Sequence, residues 1–264
     1  LLKTFDGTAM RLYLLATILG ATAALTACLP KGDTGRPIPT LLLPSQSTAP
    51  ASARRLVVML PGRADDLQAL RSSGMAEAIQ RAWPDADVLF AELTIAYYMQ
   101  GRAPQRLQAE VIAPARAQGY REIWLGGASM GGMGTLMYER SYPGEMDGLI
   151  LLAPYLGERA VLNEIREAGG VAQWNPGPQD TGPDGWQREL WRHAQTWTRA
   201  PDRTQRVWLA YGERDRLRDA MPLLSPLLPP DHVLVREGGH TWTVWSPAAE
   251  EILRRIDAKA AAGR

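Results

Sequence analysis

The stretch of this 264-residue chain whose residue types and spacing most directly permit chemistry is Leu125-Gly126-Gly127-Ala128-Ser129-Met130-Gly131-Gly132. A serine hydroxyl is a weak nucleophile until a neighbouring base takes its proton and the backbone presents it to a substrate. The core of the stretch, Gly127-Ala128-Ser129-Met130-Gly131, has the Gly-x-Ser-x-Gly spacing of a turn that carries such a serine from a strand into a helix. Its setting agrees: the apolar run Ile123-Trp124-Leu125 lies directly before it, and a helix-compatible run through Tyr138 directly after. Glycines at 127 and 131 suit a strained turn in which strand and helix backbones nearly touch. A helix starting after Ser129 would also aim free N–H groups at a developing negative charge. The chemistry implied is acyl transfer through a covalent serine adduct; the bland alternative is a glycine-rich turn without chemistry.

A serine held this way needs a sheet behind it. Beyond about residue 54, short apolar runs alternate with longer amphipathic segments, the pattern of a mainly parallel sheet covered by helices on both faces, an α/β fold. The predicted strands are Leu56–Leu60, Asp87–Leu93, Glu122–Leu125, Gly148–Leu152, Arg206–Ala210 and His232–Arg236. Helices are predicted over Asp66–Trp83, Ala103–Gln118, Gly131–Ser141, Ala160–Glu167, Gly185–Thr198, Arg216–Leu224 and Pro247–Ala262, the last capped by Ser246. Between about 155 and 203 the strand rhythm lapses around Trp174, Trp186, Trp191 and Trp197, which reads as an insertion over the sheet edge. Those tryptophans could line an acyl pocket or anchor the insertion. The stripe Met130, Met133, Met137 reads as core packing.

The elbow motif and this alternation give the chain from about Arg55 to Ile256 a resemblance to the α/β-hydrolase superfamily, in particular its esterase- and lipase-like serine hydrolases. The resemblance implies the order serine, acid, histidine, with the last two on loops after late strands. Tyr211-Gly212-Glu213-Arg214-Asp215 is similar to the superfamily's acid loop and makes Asp215 the acid, with Glu213 and Asp219 as rivals. Of three histidines, His193 falls in the insertion and His232 opens the last strand, which leaves His240, in Gly238-Gly239-His240, as the base. The resemblance further implies an oxyanion hole of backbone N–H groups, one from Met130 and one from Arg63 in Pro61-Gly62-Arg63. Pro61 stands where many relatives carry histidine. The Arg63 side chain could reach an anionic substrate group or pair with Asp65 or Asp66. The implied reaction is hydrolysis of a carboxylic ester, lipid-like esters included. Thioester, amide or peptide cleavage, acyl transfer, or a non-catalytic envelope-binding role are the alternatives.

Composition narrows the rest. Lys plus Arg (29) nearly balance Asp plus Glu (28), which leaves no field for a nucleic-acid partner. A single cysteine excludes a disulfide framework, and neither metal-ligand spacing nor a nucleotide-binding motif is present, so no cofactor is expected. The oligomeric state stays open. Met10-Arg11 followed by the apolar run Leu12 to Ala27 has the pattern of a secretory signal, with Met10 read as the start and the first nine residues as upstream translation. Leu25-Thr26-Ala27-Cys28 resembles a bacterial lipobox, with Cys28 the lipidated residue; an ordinary signal with an incidental cysteine is the alternative. Leu29 lacks the aspartate associated with inner-membrane retention, so the expected address is the periplasmic face of the outer membrane. The expected organisation is a leader (1–28), a Pro/Ser/Thr/Gly-rich tether (29–54) and a hydrolase domain (55–264).

Overall fold

A computed structural model describes residues 32–180, 182 and 185–263; the leader and Cys28 lie outside the described residues. The strands are β1 (Thr40–Leu43), β2 (Arg55–Leu60), β3 (Asp87–Ala91), β4 (Glu122–Ala128), β5 (Gly148–Leu152), β6 (Val207–Gly212) and β7 (Val233–Arg236). They form one sheet in the order β1-β3-β2-β4-β5-β6-β7, parallel except for β1, which runs antiparallel to β3. The period-two alternation of the strands divides their side chains between two cores. Leu56, Val58, Leu60, Leu125, Leu149, Leu151 and Leu209 face one core, and Val57, Met59, Phe90, Ile150, Leu152 and Trp208 the other. Both faces are buried, as continuous apolar strands require.

The helices are α1 (Leu67–Ser72), α2 (Met75–Ala82), α3 (Ile95–Met99), α4 (Ala103–Leu107), α5 (Ala113–Ala117), α6 (Met130–Ser141), α7 (Arg159–Glu167), α8 (Trp186–Thr196), α9 (Met221–Leu224) and α10 (Trp242–Ala262). Residues of α6, α7 and α8 share the first core; those of α2 and α10 share the second. The Trp-rich segment is therefore anchored on the α6 face of the sheet, where Trp174, Trp191 and Trp197 are buried and Trp191 Nε1 donates to the Leu156 carbonyl at 2.8 Å.

The structure departs from expectation in particular places. The expected tether contains β1, whose Leu41 and Leu43 pack toward the second core while its backbone pairs with the otherwise open edge of β3. The predicted helix Asp66–Trp83 is two helices, broken at Gly74, which adopts a left-handed φ of 73°. Ala103–Gln118 is helical with a π-type stretch at Gln108–Ile112, just before Pro114, whose missing N–H cannot serve the Glu110 carbonyl. The last helix starts at Trp242, not Pro247, because Val244 and Trp245 are buried and carry the helix back toward the sheet. Thr241 holds the N-cap position, and Ser246 Oγ donates to the Ser73 carbonyl at 2.9 Å instead of capping.

Candidate active site

The ends of three parallel strands bring the sequence-predicted residues to one edge of the sheet. Ser129 follows β4 directly, Asp215 lies in the loop after β6 and His240 in the loop after β7. Ser129 adopts φ 55° and ψ −113°, a conformation that costs a non-glycine residue about 1–3 kcal/mol. Three hydrogen bonds hold it there: its N–H donates to the Leu152 carbonyl at 2.8 Å, and its carbonyl accepts from Met133 and Tyr155 at 3.1 and 2.9 Å. The flanking glycines are required by contact. A Cβ on Gly127 would lie 2.4 Å from the Gly131 carbonyl carbon, and one on Gly131 would lie 2.4 Å from the Leu60 oxygen.

His240 Nδ1 lies 2.8 and 2.9 Å from the two oxygens of Asp215, whose side chain is completely buried. A carboxylate only accepts, so Nδ1 carries the proton and, in the neutral ring, the lone pair is on Nε2. Nε2 is buried and makes no hydrogen bond among the described residues, that to Ser129 Oγ included. Bonds of this kind commonly close only when substrate is bound. The imidazole is held edge-on by Trp245, with ring centroids 4.6 Å apart at 90°. The other histidines are packed elsewhere: His232 stacks on Trp208, and His193 lies against Trp197 with its pKa pushed down to about 4, chiefly by burial.

Two backbone N–H groups are the candidate oxyanion donors. The Met130 N–H heads α6, where no intrahelical acceptor exists. The loop after β2 runs alongside, with the Pro61 oxygen only 2.7 Å from where a Gly131 Cβ would stand. In that loop the Gly62 N–H is taken by Asp65 Oδ2 at 3.1 Å, whereas the Arg63 N–H meets no partner among the described residues. Arg63 is exposed and pairs with neither neighbouring acid. Asp66 caps α1 by accepting from the Ala69 N–H, and Asp65 also accepts from Trp242 Nε1 at 3.1 Å.

Tyr155, which the sequence did not single out, is bonded through its amide to the Ser129 backbone, and its ring lies 5.7 Å from that of Trp186, the one of the four insertion tryptophans that is not fully buried. Met130 and Met133 are core residues, as their spacing implied. A separate cavity of about 660 Å³, lined by Arg166, Val171, Trp197, Pro222 and Leu227 among others, touches none of Ser129, Asp215 and His240. Among the described residues no cluster of His, Cys, Asp or Glu could hold a metal ion.

A parallel sheet crossed from both faces by helices, with a strained serine after its central strand, defines an α/β-hydrolase of the serine hydrolase class. The profile of the family described as "Putative esterase" matches residues 100–256, more than half of the chain, and the chain belongs to that family. It is an enzyme of the esterase kind, and a purely non-catalytic role is set aside. Among solved structures it is similar to Est1E from Butyrivibrio proteoclasticus (14% identity, TM-score 0.56, covering 84% of this chain and 94% of that one). It is similar also to FphF, a fluorophosphonate-binding serine hydrolase of Staphylococcus aureus (13% identity, TM-score 0.55, covering 84% and 99%). An S-formylglutathione hydrolase of the same organism gives 12% identity and a TM-score of 0.53 over 85% and 99% of the two chains. No curated protein matches the sequence.

Proposed function

We propose that the protein hydrolyses carboxylic esters through an acyl-enzyme on Ser129. His240 Nε2 takes the serine proton as Oγ attacks the carbonyl, and Asp215 holds the ring in the required tautomer and stabilises the imidazolium. The Met130 and Arg63 N–H groups receive the oxyanion. His240 then protonates the leaving alcohol and afterwards activates the water that releases the acid. The observation that carries this reading is the Asp215–His240 pairing, which leaves Nε2 as the basic nitrogen on a loop at the same end of the sheet as a strained serine.

The leaving group is the less constrained half. Relatives of the same fold are named for a ferulic acid ester and for a thioester of glutathione, so the scaffold accommodates both linkages. An ester is the better reading because the family is that of esterases. Labelling with a fluorophosphonate probe tests the mechanism. The wild-type protein should be labelled and should cleave a short chromogenic ester, and Ser129→Ala, with an unchanged circular dichroism spectrum, should do neither. Retention of most of kcat by Ser129→Ala would sink the assignment. We further propose that the enzyme works as a lipoprotein exported to the periplasmic face of the outer membrane, anchored through Cys28; the lipobox-like Leu25-Thr26-Ala27-Cys28 supports this.

A further inference from the structure

Asp65 lies in the loop after β2, and the role proposed here for it rests on the acyl-transfer reading above. Its Oδ2 accepts two hydrogen bonds at once, from the Gly62 N–H and from Trp242 Nε1, each at 3.1 Å. Its own N–H donates to the Gly62 carbonyl at 3.2 Å, so the turn Gly62-Arg63-Ala64-Asp65 is closed from both sides. The second bond crosses 177 residues of sequence to the first residue of α10. From there the contact continues through aromatic edges: Trp242 meets Trp245 at 5.2 Å and 87°, and Trp245 meets His240 at 4.6 Å and 90°.

One carboxylate oxygen thus ties the loop that presents the Arg63 N–H to the residues that wall the His240 imidazole. The bond to Gly62 matters twice. It removes the Gly62 N–H from competition for an oxyanion and fixes the Pro61–Gly62 peptide, while the Asp65 N–H bond to the Gly62 carbonyl holds the Gly62–Arg63 peptide plane that carries the Arg63 N–H. We propose that Asp65 is a positioning residue that sets the oxyanion loop and the histidine-bearing helix in register, so that donor and base reach a substrate carbonyl in one geometry. It touches neither substrate nor the reacting atoms. A half-buried acceptor shared by two donors suits this task because each bond restrains the direction of the other.

The role makes a prediction that mere structural support does not. A misplacement of about 1 Å at catalytic groups costs on the order of a hundredfold in rate while leaving binding nearly intact. On a chromogenic acetate ester, Asp65→Ala should therefore lower kcat by about a hundredfold with KM changed by less than about threefold. Asp65→Asn keeps an oxygen able to accept from both N–H groups and should stay within about tenfold of wild type. Trp242→Phe keeps a smaller aromatic ring and removes the donor, while the Gly62 bond to Asp65 survives, so its loss should be smaller than that of Asp65→Ala. The double variant Asp65→Ala/Trp242→Phe should be no slower than Asp65→Ala alone, because both changes break one link. The proposal is overturned if Asp65→Ala keeps at least about half of kcat, if its loss lies in KM alone, or if the two single losses multiply. Ser129→Ala measured alongside separates the two readings: an inactive Ser129→Ala with a fully active Asp65→Ala defeats the positioning role only, whereas an active Ser129→Ala defeats the mechanism itself.

Discussion

At the residue scale, three carboxylates follow β6 and only one has the surroundings of a histidine partner. The Asp215 side chain is fully buried against His240, while that of Glu213 is about half exposed beside Arg214 and that of Asp219 is 76% exposed beside Arg218. An exposed carboxylate next to an arginine contributes little, whereas a buried one that fixes a tautomer controls the rate. Asp215→Asn should lower kcat by about three to four orders of magnitude, and Asp219→Asn and Glu213→Gln by less than about threefold. Steady-state kinetics on one ester decide it; a dominant loss at Asp219 would move the acid there. The placement of Ser129, Asp215 and His240 on the turns after β4, β6 and β7 was legible in the sequence because each sits in a short glycine-marked turn whose geometry is local. The contacts of Asp65 with Trp242 and of Tyr155 with the Ser129 backbone were not, since no local spacing records them.

At the element scale, the strands were the legible part. Where a strand is buried on both faces its apolar run is continuous, and β5 occupies the predicted residues Gly148–Leu152. β1 escaped because an edge strand needs only alternate side chains inward and lies in a Pro- and Ser-rich stretch. The helix break at Gly74 and the π-type stretch before Pro114 escaped because apolar periodicity runs on across both. In α8 the structure also settles a residue that spacing alone left idle. His193 is packed against Trp197, and burial, with Arg203 and Arg140 nearby, lowers its pKa to about 4. The native ring stays neutral between about pH 6.5 and 4 while the unfolded chain takes up a proton, so stability is full above pH 6.5 and is lost as pH falls through that window. Below about 4 the native ring protonates too and the loss levels off. At about 1.4 kcal/mol per pKa unit the limit is near 3 kcal/mol, and partial exposure of the ring brings it to about 2. His232, also lowered by burial, acts in the same direction, so the comparison must be with a variant. His193→Phe should lose about 2 kcal/mol less than wild type between pH 7 and pH 4, read from urea unfolding midpoints. Equal losses in the two proteins would remove His193 as a cause.

At the scale of the whole molecule, the described chain is docked almost from its first residue. Arg106 donates to the Thr34 carbonyl at 2.8 Å, Gln100 Nε2 donates to Thr34 Oγ1 at 2.6 Å, and the Ile38 N–H donates to Glu110 at 2.7 Å. The stretch expected to hang free as a tether is therefore partly a strap over α3 and α4. This changes what an anchor at Cys28 would do. Between Cys28 and Thr34 the chain spans at most about 21 Å at ~3.5 Å per residue, so a lipidated Cys28 would hold the α3 corner against the bilayer instead of suspending the domain above it. Met99, the last residue of α3 and 82% exposed, lies beside the Gln100 that binds Thr34. One acyl chain binds a membrane only marginally, and several make release slow. Cells given labelled palmitate should accordingly yield a labelled wild-type protein in the outer-membrane fraction and an unlabelled, released Cys28→Ser. A photoreactive residue in place of Met99 should cross-link to lipid in the first and not in the second. Wild type without label would end the lipoprotein reading, label recovered in the inner membrane would overturn only the address, and label without a Met99 cross-link would return the strap to the role of a spacer.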